Sequence, residues 1–180
     1  MGSATGLPVP LTSCIGRADD AAQLARLLEA SRLVTVTGPG GTGKTRLVIE
    51  LARRVGDTFP DGAWFVELAA AAEAAQVPAE VISVLGVQQD PGRSPLDVLA
   101  EVLASRRLLL ILDNCEHVLA AVTELCTAVL ARADEVHILV TSRERLGLGE
   151  EAQYRLSPYE RWGHPRPCGP AVNGILCSMV

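Results

Sequence analysis

The sequence predicts an α/β fold in which helices cover both faces of an open, mostly parallel sheet of five strands. Short apolar runs alternate along the chain with longer stretches of helical period, which is typical of strands joined by crossover helices. The 180 residues are 48% hydrophobic, enough for one domain with its own core. This composition excludes a mainly disordered chain.

The predicted elements follow one another in regular order. Strands are predicted at Leu33 to Thr37, Ala63 to Leu68, Leu108 to Leu112, Val136 to Val140 and Gln153 to Leu156. Amphipathic helices are predicted at Asp20 to Ala30, Lys44 to Val55, Pro95 to about Ser105 with Ser94 as N-cap, and Glu116 to Arg132. The segment from Gln76 to Arg93 has no pattern that assigns it to a helix or a strand.

A phosphate-binding loop is predicted between the first strand and the second helix. Residues 38–45 read Gly-Pro-Gly-Gly-Thr-Gly-Lys-Thr, which satisfies the pattern G-x-x-x-x-G-K-[ST], also called Walker A. Glycines let the loop curl so that its N–H groups converge on phosphates at the positive end of the following helix. Lys44, the only lysine in the sequence, would reach the β and γ phosphates, and the Thr45 hydroxyl would bind Mg²⁺. A glycine-rich turn with an incidental lysine is the alternative.

Asp113 follows the apolar third strand, as the acid of a Walker B motif does. At the carboxyl edge of a parallel sheet it can hold Mg²⁺ through water, although it could also cap a helix that begins near Cys115. Asn114 stands where many P-loop ATPases have a second acid, and it cannot accept a proton from water, so we expect slow hydrolysis. Glu116 is the nearest possible substitute, but we favour a helix-dipole role for it at a helix start.

Arg143 follows the fourth predicted strand and lies at the same ligand-binding edge. Its guanidinium could make directed bonds to the γ-phosphate and so report whether that phosphate is present. Alternatively, it is a surface arginine paired with Glu144 or Glu150.

Five stretches together resemble the NTPase module of STAND-class P-loop ATPases, close to the NB-ARC group and to bacterial LuxR-type and SARP-type transcriptional regulators. They are residues 14–17, Val36 to Arg46, Phe59 to Leu68, Leu109 to His117 and Leu139 to Gly147, within a match from Ile15 to Ser157. The resemblance implies ATP or ADP with Mg²⁺ as ligands, and a nucleotide-controlled switch. It also implies that the first strand neighbours the fourth, which sets Arg143 across the phosphates from Lys44.

The resemblance and the motifs give one set of candidate residues. Catalytic roles are expected for Lys44, Asp113, Asn114 and Arg143, and Mg²⁺ binding for Thr45 and Asp113. Nucleotide contacts are expected from Ile15, Gly16, Arg17, Gly38, Pro39, Gly40, Gly41, Thr42, Gly43, Lys44, Thr45 and Arg46.

The sequence departs from the family pattern after the fifth strand. No helical lid with its Gly-x-Pro motif, winged helix, sensor repeats or helix-turn-helix follows, so we expect a truncated form, a frameshift product or a fragment. The expected organisation is a flexible leader at 1–14, the NTPase domain at 15–157 and an irregular, disordered tail at 158–180, which holds four of the eleven prolines.

Charge and composition limit the partners. A formal net charge of −5 argues against direct DNA binding, and no apolar run is long enough to span a membrane. Five cysteines without C-x-x-C spacing fit a reducing cytoplasm.

Besides a nucleotide-binding module, the sequence allows a non-catalytic fragment that self-associates or binds an intact regulator. A small-molecule kinase is less favoured, because no arginine-rich lid or acceptor pocket is found.

Overall fold

The computed structural model describes residues 6–8, 17–71, 73–90 and 92–158. The strands are β1 (Leu33–Thr37), β2 (Ala63–Glu67), β3 (Leu109–Asp113), β4 (His137–Ser142) and β5 (Glu151–Arg155). The helices are α1 (Ala18–Ala30), α2 (Lys44–Val55), α3 (Gln76–Leu85), α4 (Pro95–Leu103) and α5 (Leu119–Leu130), with a short 3-10 turn at Gly56–Thr58.

The five strands form one parallel sheet in the order β2-β3-β4-β1-β5. Strand β1 lies between β4 and β5, so the predicted fold and the predicted pairing of the first strand with the fourth are confirmed. Because all strands run the same way, their carboxyl ends meet at one edge of the sheet. That edge carries the loop after β1, Asp113 and Ser142.

Helices cover both faces of the sheet and make three layers. Along β3, Leu109 and Ile111 pack in the core beneath α1 and α2, whereas Leu110 and Leu112 pack in the core beneath α3, α4 and α5. All five β3 residues are buried, as expected for a strand covered on both faces. Helix α2 contributes Leu47 and Leu51 to its core, while Arg53 and Arg54 are exposed.

Helix α3 lies in the segment that the sequence pattern left unassigned. Its buried positions, Val77, Val81, Ile82 and Leu85, follow helical spacing, and Pro78 falls in the first turn, where its missing N–H costs no helix bond. Gly86 ends the helix in the left-handed conformation (φ 63°), and the N–H of Val87 donates to the Ile82 carbonyl at 3.1 Å.

The start of α5 differs from the sequence prediction, and the predicted cap of α4 lacks its hydrogen bond. Helix α5 begins at Leu119, so the expected start near Glu116 is wrong, and neither the helix-cap role of Asp113 nor the dipole role of Glu116 applies. The chain instead turns at Asn114, whose φ of 63° interrupts any helix there. Ser94 precedes α4 in an extended conformation, as an N-cap does, but its side chain makes no capping hydrogen bond.

Part of the predicted leader is described. The N–H of Gly6 donates to the Ala63 carbonyl at 3.2 Å, and Gly6 forms a parallel bridge with Trp64 on the outer edge of β2. Arg53 donates to the Pro8 carbonyl at 2.9 Å. The rest of the leader and residues 159–180 of the predicted tail lie outside the described residues.

Candidate nucleotide-binding site

The loop from Gly38 to Gly43 joins β1 to α2 and is folded into a tight curve. Gly41 and Gly43 have φ angles of 75° and 89°, a region that residues with a side chain rarely adopt. Gly38 is buried beside the residue that follows β5, and a Cβ atom on Gly38 would lie 2.5 Å from the Leu156 carbonyl oxygen. The Thr42 hydroxyl donates to the Pro39 carbonyl at 2.9 Å and closes the curve.

Lys44 opens α2 and folds its side chain back over this loop. Its ammonium donates to the carbonyls of Gly38 at 2.8 Å and Pro39 at 3.0 Å. The first N–H groups of a helix have no intrahelical acceptor, so the start of α2 presents donors beside the same ammonium. Positive charge and free donors therefore converge at the carboxyl end of β1.

Thr45 and Asp113 meet across the sheet edge. The Thr45 hydroxyl lies 3.0 Å from Oδ1 and 2.9 Å from Oδ2 of Asp113. Asp113 is buried, and its Oδ1 also accepts from the Thr141 hydroxyl at the end of β4. Two strands and one helix thus fix one carboxylate and one hydroxyl next to the phosphate-binding loop.

This oxygen pair fits a magnesium ion. Mg²⁺ takes oxygen ligands, and in nucleotide sites it uses one or two protein side chains together with phosphates and water. Among the described residues no group of three or more His, Cys, Asp or Glu side chains could hold a metal ion by itself. Thr45 and Asp113 are therefore suited to an ion that arrives with a nucleotide.

The turn after Asp113 is held by β4. The N–H of Asn114 donates to the Thr141 hydroxyl at 3.0 Å, and the N–H of Cys115 donates to the Thr141 carbonyl at 3.0 Å. Asparagine tolerates the left-handed conformation better than most residues, which suits it to this position. With its amide nitrogen turned toward Glu116, Asn114 donates to that carboxylate at 3.1 Å.

Arg143 reaches back from the end of β4 toward the loop. Its Nε donates to Oε1 of Glu116 at 3.1 Å, so its partner is Glu116 and not the expected alternatives Glu144 or Glu150. One terminal nitrogen of Arg143 lies 3.8 Å from where a Cβ of Gly40 would stand. Arg143 and Lys44 therefore both border the loop.

Arg17 fastens the start of α1 to this site. It donates to the Thr42 carbonyl at 3.0 Å, to the Ser157 carbonyl at 3.1 Å and to Asp20 at 3.2 Å, and it is 7% exposed. The Tyr154 hydroxyl donates to the other oxygen of Asp20. Arg17 thus joins three segments around the loop.

Comparison with known proteins agrees with this geometry. The NB-ARC domain family model matches residues 19–155, a range that runs from the second residue of α1 to the last residue of β5. The chain belongs to the NB-ARC family. The match includes the P-loop, Asp113, Asn114 and Arg143.

Relatives of this NB-ARC domain include regulators. An uncharacterized protein of Mycobacterium tuberculosis is 37% identical over 148 residues, covering 82% of this chain and 38% of its own length. A proposed HTH-type transcriptional regulator of the same organism is 42% identical over 130 residues, covering 72% of this chain and 14% of its own length. This chain therefore spans well under half of either relative.

A solved structure shows the same fold. The STAND protein with a tetratricopeptide repeat sensor from Pyrococcus horikoshii superposes with a TM-score of 0.55 at 17% identity. The superposition covers 84% of this chain and 24% of that protein. This NB-ARC domain therefore has the α/β P-loop NTPase fold.

Most predicted site residues come together, and a few lie outside the described range. Lys44, Thr45, Asp113, Asn114 and Arg143 all border one edge of the sheet. Ile15 and Gly16 precede the described part of the domain, which resumes at residue 17. Arg46, the last residue of the predicted set, is an exposed residue in the first turn of α2.

Sequence reasoning missed three supporting residues. Thr141 donates to the Asp113 carboxylate, Asp20 accepts from Arg17, and the Tyr154 hydroxyl donates to Asp20. Thr141 could have been noticed as a polar residue at the end of an apolar strand. Asp20 could have been noticed as an acid three residues after Arg17, the spacing of an ion pair on one helix face. Nothing local in the sequence connects Tyr154 to Asp20, because 134 positions separate them.

Two cysteines of the described region lie in the core. Cys115 and Cys126 are buried free thiols, and burial raises the pKa of both, that of Cys126 to about 12. Neither is therefore a nucleophile at neutral pH.

None of the described helices is long and apolar enough to cross a membrane.

Proposed function

We propose that this NB-ARC domain binds Mg-ATP and Mg-ADP at the P-loop and hydrolyses ATP slowly. The observation that carries the proposal is the contact between the Thr45 hydroxyl and the Asp113 carboxylate, at 2.9 and 3.0 Å, beside the Lys44 ammonium. In P-loop NTPases a hydroxyl and a carboxylate hold the metal ion, and a lysine ammonium binds the β and γ phosphates. Thr45, Asp113 and Lys44 provide these three groups.

Each group has a distinct task in this proposal. Lys44 exchanges its two loop carbonyls for oxygens of the β and γ phosphates, which are stronger acceptors because they are charged. Thr45 and Asp113 would hold Mg²⁺, which when bound neutralises charge on the β and γ phosphates. Thr141 keeps the Asp113 carboxylate oriented toward Thr45.

Asn114 and Arg143 act at the γ-phosphate. Asn114 can orient a water molecule by hydrogen bonding, but an amide cannot take the proton of that water, so we infer slow turnover. Arg143 borders the loop near Gly40, and its guanidinium suits the oxygens of a third phosphate. ATP and ADP are therefore bound with different affinity.

We further infer that the domain is the nucleotide-controlled part of a regulator. The relatives include a proposed HTH-type transcriptional regulator, and the formal charge of −5 leaves DNA contact to other parts of such a protein. Nucleotide state would then control contacts with neighbouring domains or with further copies of the chain.

Thermal unfolding with and without nucleotide tests the binding proposal. At a hundredfold excess over Kd, Mg-ATP adds about 2.7 kcal/mol to the free energy of unfolding, which is a rise in Tm of about 5 to 10 °C in a domain of this size. Lys44→Ala should abolish the rise. Arg26→Ala, which removes an exposed cation in the middle of α1, should retain it.

The same experiment separates the proposal from its alternative. A fragment that acts only through protein contacts would show no change of Tm with ATP or ADP in the wild-type protein. That result would leave the P-loop as a structural remnant and would overturn the binding proposal.

A further inference from the structure

The proposed hydrolysis needs a group that accepts a proton from water. The two candidates that follow Asp113 in the sequence, Asn114 and Glu116, do not provide it. Asn114 has no basic oxygen that becomes protonated near neutral pH. Glu116 is engaged by Arg143 at 3.1 Å and by the Asn114 amide at 3.1 Å, so its carboxylate is directed toward those two side chains.

Glu67 lies on the neighbouring strand at the same height as Asp113. It is the last residue of β2, and its Cα pairs with that of Asp113 in the parallel register. Side chains alternate along a strand, so Glu67 shares a face with Ala63 and Phe65, which pack in the core beneath α1 and α2. Asp113 lies on the same face, in step with Ile111.

A cavity connects Glu67 with Thr45. It has a volume of about 540 Å³ and is lined by Thr45, Glu67, Ile49 and Phe65 and by residues 6–8. Glu67 is the charged residue of this lining, and it is exposed. Within the described part of the chain, no ion pair or hydrogen bond occupies its carboxylate. The carboxylate is therefore available to water beside the proposed metal ligand.

We propose that Glu67 is the general base of this site. It accepts one proton from the attacking water. The oxygen of that water forms a bond to the γ-phosphorus while the bond from phosphorus to the bridging oxygen breaks, and ADP leaves with that electron pair. The inference rests on the proposed ATP hydrolysis and adds the residue that starts it.

The role explains the arrangement of three strands at one edge. Strand β1 supplies the phosphate loop, β3 supplies Asp113 and β2 supplies the base, so proton acceptor and metal ligand come from neighbouring strands. Ile49 and Phe65 form an apolar wall of the cavity beside the Glu67 carboxylate, which stays accessible to water.

The test compares Glu67→Gln with a matched control, Glu80→Gln on the exposed face of α3, and with Glu116→Gln, which removes the competing acid. Single-turnover hydrolysis of Mg-ATP should fall about 100-fold in Glu67→Gln, the lower range for loss of a general base. The control Glu80→Gln should stay within about threefold of wild type, and Glu116→Gln should lose much less than 100-fold. Hydrolysis by Glu67→Gln within threefold of wild type, or a 100-fold loss in Glu116→Gln, would overturn the assignment.

Binding provides a second readout that does not depend on turnover. Because Glu67 brings a negative charge next to Asp113 and Thr45, its neutralisation should favour a phosphate chain at the proposed site. Glu67→Gln should therefore bind the non-hydrolysable analogue AMP-PNP at least as tightly as wild type, with a ratio of AMP-PNP to ADP affinity raised about twofold. A weaker affinity for both nucleotides would show that Glu67 supports the structure and would overturn its role as base.

The outcomes also separate this inference from the proposed function. If wild type binds ATP through Lys44 but does not hydrolyse it, the base assignment fails and nucleotide binding stands. If wild type does not bind nucleotide at all, both proposals fail.

Discussion

The guanidinium of Arg143 is held by the carboxylate of Glu116, with 3.1 Å between Nε and Oε1. The Arg143 side chain is 66% exposed and that of Glu116 is 23% exposed. An ion pair this accessible to water contributes less than about 1 kcal/mol, so a phosphate group can compete for the arginine.

Replacement of Glu116 should therefore sharpen discrimination between the two nucleotides. In Glu116→Gln, Arg143 is free to bind the γ-phosphate, and we expect the ratio of ATP to ADP affinity to rise about two- to fivefold, in line with a pair worth less than 1 kcal/mol. Isothermal titration with AMP-PNP and ADP measures the ratio. Arg143→Ala should bring it toward one, and an unchanged ratio in Arg143→Ala would contradict the sensor role.

Gly38 should not tolerate a side chain. A Cβ atom would stand 2.5 Å from the backbone oxygen of Leu156, which cannot rotate away as a side chain can. We expect Gly38→Ala to lower the free energy of unfolding by about 2 kcal/mol through this overlap. Urea denaturation measures it, and Gly149→Ala, where no atom stands within 4 Å of the added Cβ, is the matched control. Equal stability of the two variants would refute the close contact.

Arg17 and Asp20 should be strongly coupled. Their side chains are 7% and 3% exposed, so removal of either takes this ion pair away from a charge that stays buried. Arg17→Ala and Asp20→Ala should each cost about 3 kcal/mol, and the double variant should cost clearly less than the sum. A double-mutant cycle from chemical denaturation measures the coupling. Additive losses would mean that the two residues act independently.

The stability should fall in mildly acidic solution through His137. Burial lowers the pKa of His137 below its usual 6.5, and Arg32 and Arg107 lower it further, while the Leu28 carbonyl and Glu135 oppose this effect. The unfolded chain therefore binds a proton at a higher pH than the folded domain. The free energy of unfolding is fully retained above pH 6.5 and decreases as the pH falls from 6.5 toward the folded-state pKa.

Denaturation curves at pH 7.5 and 5.5 test whether the free energy of unfolding decreases as the pH falls. His137→Asn should reduce the loss between the two pH values, whereas His117→Asn, which changes an exposed residue, should leave the loss as in wild type. A loss of equal size in His137→Asn would assign the acid sensitivity to other groups.

The elements that the sequence predicted are those whose physical cause is local. The P-loop has glycines and Lys44 at fixed spacing, and α2 has a clear apolar stripe, so the bounds of α2, Lys44–Val55, are the predicted ones. Helix α3 was not predicted because Pro78 disfavours a helix and the segment has only a short apolar pattern. Its packing against the sheet defines the helix. The start of α5 was misplaced because the backbone angle of Asn114 depends on Thr141 of β4, 27 positions away.

The candidate site divides in the same way. Lys44, Thr45 and Asp113 were predicted because motif spacing fixes them, although their chemical roles stay predictions. The Glu116 partner of Arg143 and the cavity beside Glu67 depend on which strands are neighbours and in which register. Spacing along one chain does not contain that register, so only the folded arrangement reveals these contacts.

The contact between Gly38 and Leu156 connects the phosphate loop to the end of the sheet's last strand. The Leu156 N–H also donates to the Thr37 carbonyl at 2.7 Å, and Arg17 holds the next carbonyl, that of Ser157. Any nucleotide that alters the curvature of this loop would therefore also displace the backbone at Leu156 and Ser157, where the polypeptide leaves the sheet. The segment after β5 is thus the part of the domain that is mechanically tied to the loop.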